Sequence, residues 1–108
     1  MNSPKLRIKK LKEIEILDYK FQIHWDKTHS GGSFYFSDHK IIIGCKHEKE
    51  HPQQVFHVLM HEISEIIHAL LNSRYDDPSV DGNYKFFMNH KEFEMHNRLL
   101  SNIILKFI

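Results

Sequence analysis

Residues 52 to 72, PQQVFHVLMHEISEIIHALLN, repeat apolar side chains at helical spacing over about six turns, and no other stretch restricts the fold so strongly. At about 3.6 residues per turn, Phe56, Leu59, Met60, Ile63, Ile66, Ile67 and Leu70 share one side. His57, His61, Ser64, Glu65 and His68 share the other. Pro52 suits the first helical position, where its missing N–H costs nothing, and Asn72-Ser73 begins the exit. A helix with one apolar side must pack on another layer, so the rest of the chain is read for what supplies that layer.

The 108 residues form one domain, 1–108, long enough to bury about two-thirds of the unfolded surface. An apolar share of 41%, with eight Phe and four Tyr, supplies a core, while no apolar run approaches the ~20 residues that cross a bilayer. The first residues, MNSPKLR, lack the apolar centre of a signal peptide, and the lone Cys45 has no partner for an internal disulfide. Both point to a cytoplasmic protein. With 15 Lys and Arg against 14 Asp and Glu, the net charge of +1 gives no global field for nucleic acid.

Before residue 46 the pattern is extended. Lys5 to Lys12 holds five basic residues, with Leu6 and Ile8 alternating as in a solvent-facing strand; no aromatic residue interleaves for base stacking, so nucleic acid is not the expected partner. Ile14/Ile16 and Phe21/Ile23/Trp25 alternate around a polar Asp18-Tyr19-Lys20 turn, which predicts a hairpin with His24 facing water. Lys27 to Gly32 is a loop whose paired glycines permit positive φ. Residues 33–37 and 40–44 predict two further strands around a Ser37-to-Lys40 turn. Cys45, His47 and His51 have the spacing of a metal cluster, but the intervening Lys46, Glu48, Lys49 and Glu50 mark a solvated connection.

After the central helix, residues 74–85 are rich in turn formers and longer than most connections, which suits either a lid or a plain loop. Asn89 then stands as N-cap with Glu92 at the capping-box position, and Phe93, His96, Leu100, Ile103, Ile104 and Phe107 continue a helical stripe. The expected fold is therefore α+β: a small antiparallel sheet of about four strands, then two packed helices at 52–72 and 90–107.

The chemistry gathers on the first helix. His61-Glu62-Ile63-Ser64-Glu65 resembles the HExxH signature of zincin metallopeptidases, with Glu in place of the second His. The i, i+4 spacing sets His61 and Glu65 one turn apart on one face, and a carboxylate is an ordinary Zn²⁺ ligand. A catalytic zinc needs a third protein ligand and an open position for water. On the second helix the candidates are His90, Glu94 and His96, and His90, which opens that helix, is the choice.

From residue 33 to about 104 the chain is similar to small phage and bacterial zincin-like proteins of the gluzincin type, in which a strand leads to an HExxH or HExxE helix and then to a helix with a His-x-x-aromatic start, here His90-Lys91-Glu92-Phe93. That resemblance implies His61, Glu65 and His90 as zinc ligands and Glu62 as general base of peptide-bond hydrolysis, with a peptide or protein as substrate. It also implies that extended substrate adds to the edge of a strand bordering the cleft, for which Ile41 to Ile43 is a candidate, with a plain buried strand as the equal alternative. Tyr75, Tyr84 and His96 remain open as oxyanion helpers, and His57 and His68 as residues lining the cleft. A non-catalytic metal-binding or regulatory domain of the same fold is the alternative.

Overall fold

The computed structural model describes residues 6–71, 74–76, 84–86 and 88–108. Four strands, β1 (Glu13–Ile16), β2 (Tyr19–Asp26), β3 (Gly32–Tyr35) and β4 (Lys40–Gly44), precede a helix α1 (Pro52–Leu70). Two short strands, β5 (Arg74–Asp76) and β6 (Tyr84–Phe86), pair antiparallel before the helix α2 (His90–Ile104), which ends in a 3-10 turn at Leu105–Phe107. The fold is α+β, as the periodicities predict.

The sheet order is β1-β2-β4-β3. Its two outer pairs are antiparallel, as expected of a largely antiparallel sheet, and the central pair β2–β4 is parallel, so the sheet is mixed. The chain leaves β2 at Asp26, passes through the 27–31 loop to form the edge strand β3, and returns along β4 between the two. Local alternation is identical in parallel and antiparallel strands, so nothing in the spacing distinguishes the two pairings. β4 is paired on both sides, so of the two readings of Ile41 to Ile43 the plain inner strand holds; the segment offers no edge to a substrate, and β3 is the edge on that side.

The β1–β2 hairpin closes on Leu17 and Asp18, both at positive φ (48° and 70°), with Ile16 opposite Tyr19. That is the two-residue type I′ turn that suits the twist of paired strands. It lies one residue earlier than the polar Asp18-to-Lys20 turn read from the sequence. In the next loop, Gly31 takes φ 82°.

One face of the sheet presents Ile14, Ile16, Phe21, Ile23, Ile41 and Ile43, all buried, against Leu59, Ile63, Ile66 and Ile67 of α1. The opposite face carries exposed Glu13, Glu15, Gln22 and His24, the alternation of a sheet covered on one side. His24 thus faces solvent, as read from its position. Residues 6–12 form no strand. They are instead strapped along the body: Ile8 is buried, the Lys9 amide donates to the Phe107 carbonyl at 2.7 Å, and Trp25 Nε1 donates to the Leu11 carbonyl at 2.9 Å.

The Asn89 side chain accepts from the Glu92 amide at 2.9 Å and caps α2 as its sequence indicates. Ile103, Ile104 and Phe107 at its far end join the core, whereas Phe93, expected in the same stripe, is 50% exposed. Among the described residues no helix is long and apolar enough to cross a membrane.

Candidate metal centre

The first layer of the site is α1 itself. Its inner side is fixed by fully buried Leu59, Ile63, Ile66 and Ile67, and that packing holds the outer side in one orientation. His61 and Glu65, one turn apart, bring Nε2 and Oε2 to 3.2 Å. Two donors of a tetrahedral zinc site with bonds of ~2.1 Å lie about 3.4 Å apart, so this pair is already spaced for a shared ion.

Glu62, the next residue round the helix, turns inward and is only 5% exposed. It fits there because Gly32 of β3 has no side chain: a Cβ at that position would come within 2.7 Å of Val58 Cγ1 and 3.1 Å of Glu62 Cγ. The edge strand β3 therefore passes directly over Glu62. Donor atoms of His61, Glu62 and Glu65 all lie within 4.8 Å of one another, the one group of three or more such side chains that converges among the described residues. An imidazole and two carboxylates, two of them reached by solvent and one buried, form a donor set that fits a divalent cation of the zinc type.

Beside this trio an open cavity of about 280 Å³ is lined by His57, Met60, His61, Ser64, Glu65, His68 and, from α2, Leu100. The polar row read from the helical wheel is thus the wall of a real depression.

The structure does not bring His90 into the trio. At the start of α2 its side chain is 84% exposed and its Nε2 lies 3.0 Å from Glu94 Oε1, so two of the three candidate ligands of that helix face each other along its surface. His96, the third, points the other way. It is buried, with Nε2 2.9 Å from Ser64 Oγ and its ring stacked on that of His68 at 4.2 Å between centroids. That contact locks α2 onto α1 within the helix pair and takes His96 out of consideration as an oxyanion helper. Burial, followed by the neighbouring His96, lowers the His68 pKa to about 4, so His68 is a neutral imidazole at physiological pH.

This Ser64–His68–His96 contact is a polar junction that sequence reading missed, although the stripe Phe93, His96, Leu100, Ile103 already put His96 on the packing side of α2. Tyr75 and Tyr84 have side chains outside the described residues, as does the 77–83 part of the proposed lid. The Cys45, His47, His51 cluster does not assemble: His47 and His51 border a small cavity near the start of α1, and Cys45 borders another. Burial also pushes the Cys45 thiol up, away from the thiolate a metal needs.

No known protein family, curated protein or solved structure matches the chain.

Proposed function

We propose that this protein is a zinc-dependent peptidase, and the observation that carries the reading is the convergence of His61, Glu62 and Glu65 beside an open cavity. In this reading His61 and Glu65 hold the ion from α1, and His90 leaves its exposed contact with Glu94 to complete the protein ligands from α2. A bound zinc ion would supply Lewis acidity at that point. Glu62 accepts a proton from the attacking water and delivers it to the leaving amine nitrogen. Its burial between α1 and β3 keeps the carboxylate in one place, and β3, the last strand of the sheet on that side, is where an extended peptide can add beside it. The single buried Cys45 suits a reducing compartment, in this reading the cytoplasm.

A second reading has its own support. The Glu62 carboxylate falls inside the same 4.8 Å group, so it can be a ligand in its own right, and the domain would then bind metal without hydrolysing anything. Glu62→Gln separates the two. Under the peptidase reading the variant keeps its metal, and chelator-sensitive cleavage of a peptide library drops by about 10²- to 10⁴-fold. Loss of the metal from the variant, with no cleavage by the parent, establishes the binding domain instead.

A further inference from the structure

A cavity of about 600 Å³ opens at the C-terminal ends of β2 and β4, lined by none of the residues that border the metal site. Half-buried Trp25 and buried Cys45 form its inner wall, and Lys10, Lys27, Lys46 and Lys49 stand around it together with the carboxylates of Glu48 and Glu50, an excess of two positive charges. The volume is that of a small-molecule site. Four ammonium groups beside one aromatic wall are the two components that a strand of nucleic acid uses, phosphate attraction and base stacking.

The basic segment 5–12 carries no aromatic residue, and on sequence alone that argued against base stacking. Folding supplies the missing ring from β2. Trp25 Nε1 donates to the Leu11 carbonyl, the ring meets buried Phe107 at 6.3 Å between centroids, and the Lys10 ammonium lies over it at 5.2 Å, so a base reaches the ring as Lys10 moves aside. Arg7 and Lys9 of the same segment are exposed as well, whereas Lys12 borders a separate cavity beside Glu13, Gln22 and His24.

We propose that this cavity binds single-stranded nucleic acid, with phosphates on Lys27, Lys46 and Lys49 and a base against Trp25. In the free protein Lys10 is paired with Glu48, which also lines the cavity. An incoming phosphate competes with that carboxylate for Lys10, so Glu48 is a built-in opponent of binding. An acidic peptide would use the cations but gain nothing from an aromatic wall, and a mononucleotide would not use Arg7 and Lys9 beyond the cavity.

Trp25 is the only tryptophan, so its fluorescence reports on this site without a label. The full chain is titrated with an oligothymidylate of about 12 nucleotides, long enough to cover a site of this class. A saturable change in emission is expected, weakening by about 50-fold between 50 and 200 mM salt if four phosphates are engaged. The triple charge reversal K27E/K46E/K49E, at three exposed positions, abolishes the change while circular dichroism stays that of the parent. Glu48→Gln tightens binding several-fold. The proposal is overturned if emission does not respond, if the triple variant binds like the parent, or if tripolyphosphate or polyglutamate gives the same curve as the oligonucleotide at equal charge.

Discussion

The two helices carry the candidate ligands in opposite circumstances. α1 is packed on the sheet and on α2, with Leu59, Ile63, Ile66 and Ile67 fully buried, and it presents His61, Glu62 and Glu65 already converged. α2 is anchored at its far end, through Ile103, Ile104 and the Phe107 turn, and midway through His96, Leu99 and Leu100. Its first turns project, and His90 lies on them with most of its side chain in solvent. A donor on a buried helix loses little freedom when an ion arrives, whereas a donor on an exposed turn must be ordered at that moment. In the metal-binding reading the site is thus half prepared by packing and half left to the ion.

Core substitutions test the first half with the largest expected effect. Ile66→Ala should cost about 2 to 5 kcal/mol in urea unfolding, because the side chain is fully buried and its removal leaves a cavity that the packed neighbours fill only in part. Phe93→Ala on α2 should cost less than about 0.5 kcal/mol. Equal losses at the two positions would mean that the helices are held alike.

Metal linkage comes next. Zinc at about 100 times its dissociation constant should raise unfolding free energy by about 2.7 kcal/mol, and His61→Ala or Glu65→Ala should erase the gain. His90→Ala should erase it as well. A full zinc response in His90→Ala would show that α1 holds the ion without α2.

A smaller effect concerns the junction between the helices. His68 has a folded pKa of about 4 against an ordinary value of 6.5, so the unfolded chain binds the extra proton first as pH falls. Stability from this group is complete above about pH 6.5 and is lost on going down towards pH 4. Solvent reaches the half-buried ring and screens its charge, which brings the expected loss to on the order of 1 kcal/mol. Unfolding measured in chelator should show that decline in the parent and a flatter profile in His68→Gln. An effect of similar size belongs to the sheet: Leu17→Asn, at φ 48°, should stabilise the β1–β2 turn by about 0.5 to 1 kcal/mol, read as a rise in thermal midpoint.

Much of this molecule is visible in local spacing. The i, i+4 separation of His61 and Glu65 fixes their proximity once a helix forms, and Asn89 with Glu92 marks the start of α2 because a cap is a contact within one turn. The inward turn of Glu62 is not visible that way. The helical wheel puts it between the two faces, and only the absence of a side chain at Gly32, thirty positions earlier, makes room for it.

The sequence by itself determined β1 to β4, α1 and α2 as element types, the limits of α1 and β4 to within a residue or two, and the pairing of donors on one helical face, because each depends on neighbours a few bonds or one turn away; it read 74–85 as a loop, where β5 and β6 pair, and an extended strand in 6–12, where none forms. The tertiary structure decided the parallel β2–β4 pair, the edge position of β3, the burial of His96 against Ser64 and His68, and the placement of Trp25 beside the basic segment. Those depend on which distant surfaces meet, and strand and helix periodicity fixes which side of an element is apolar without fixing what covers it.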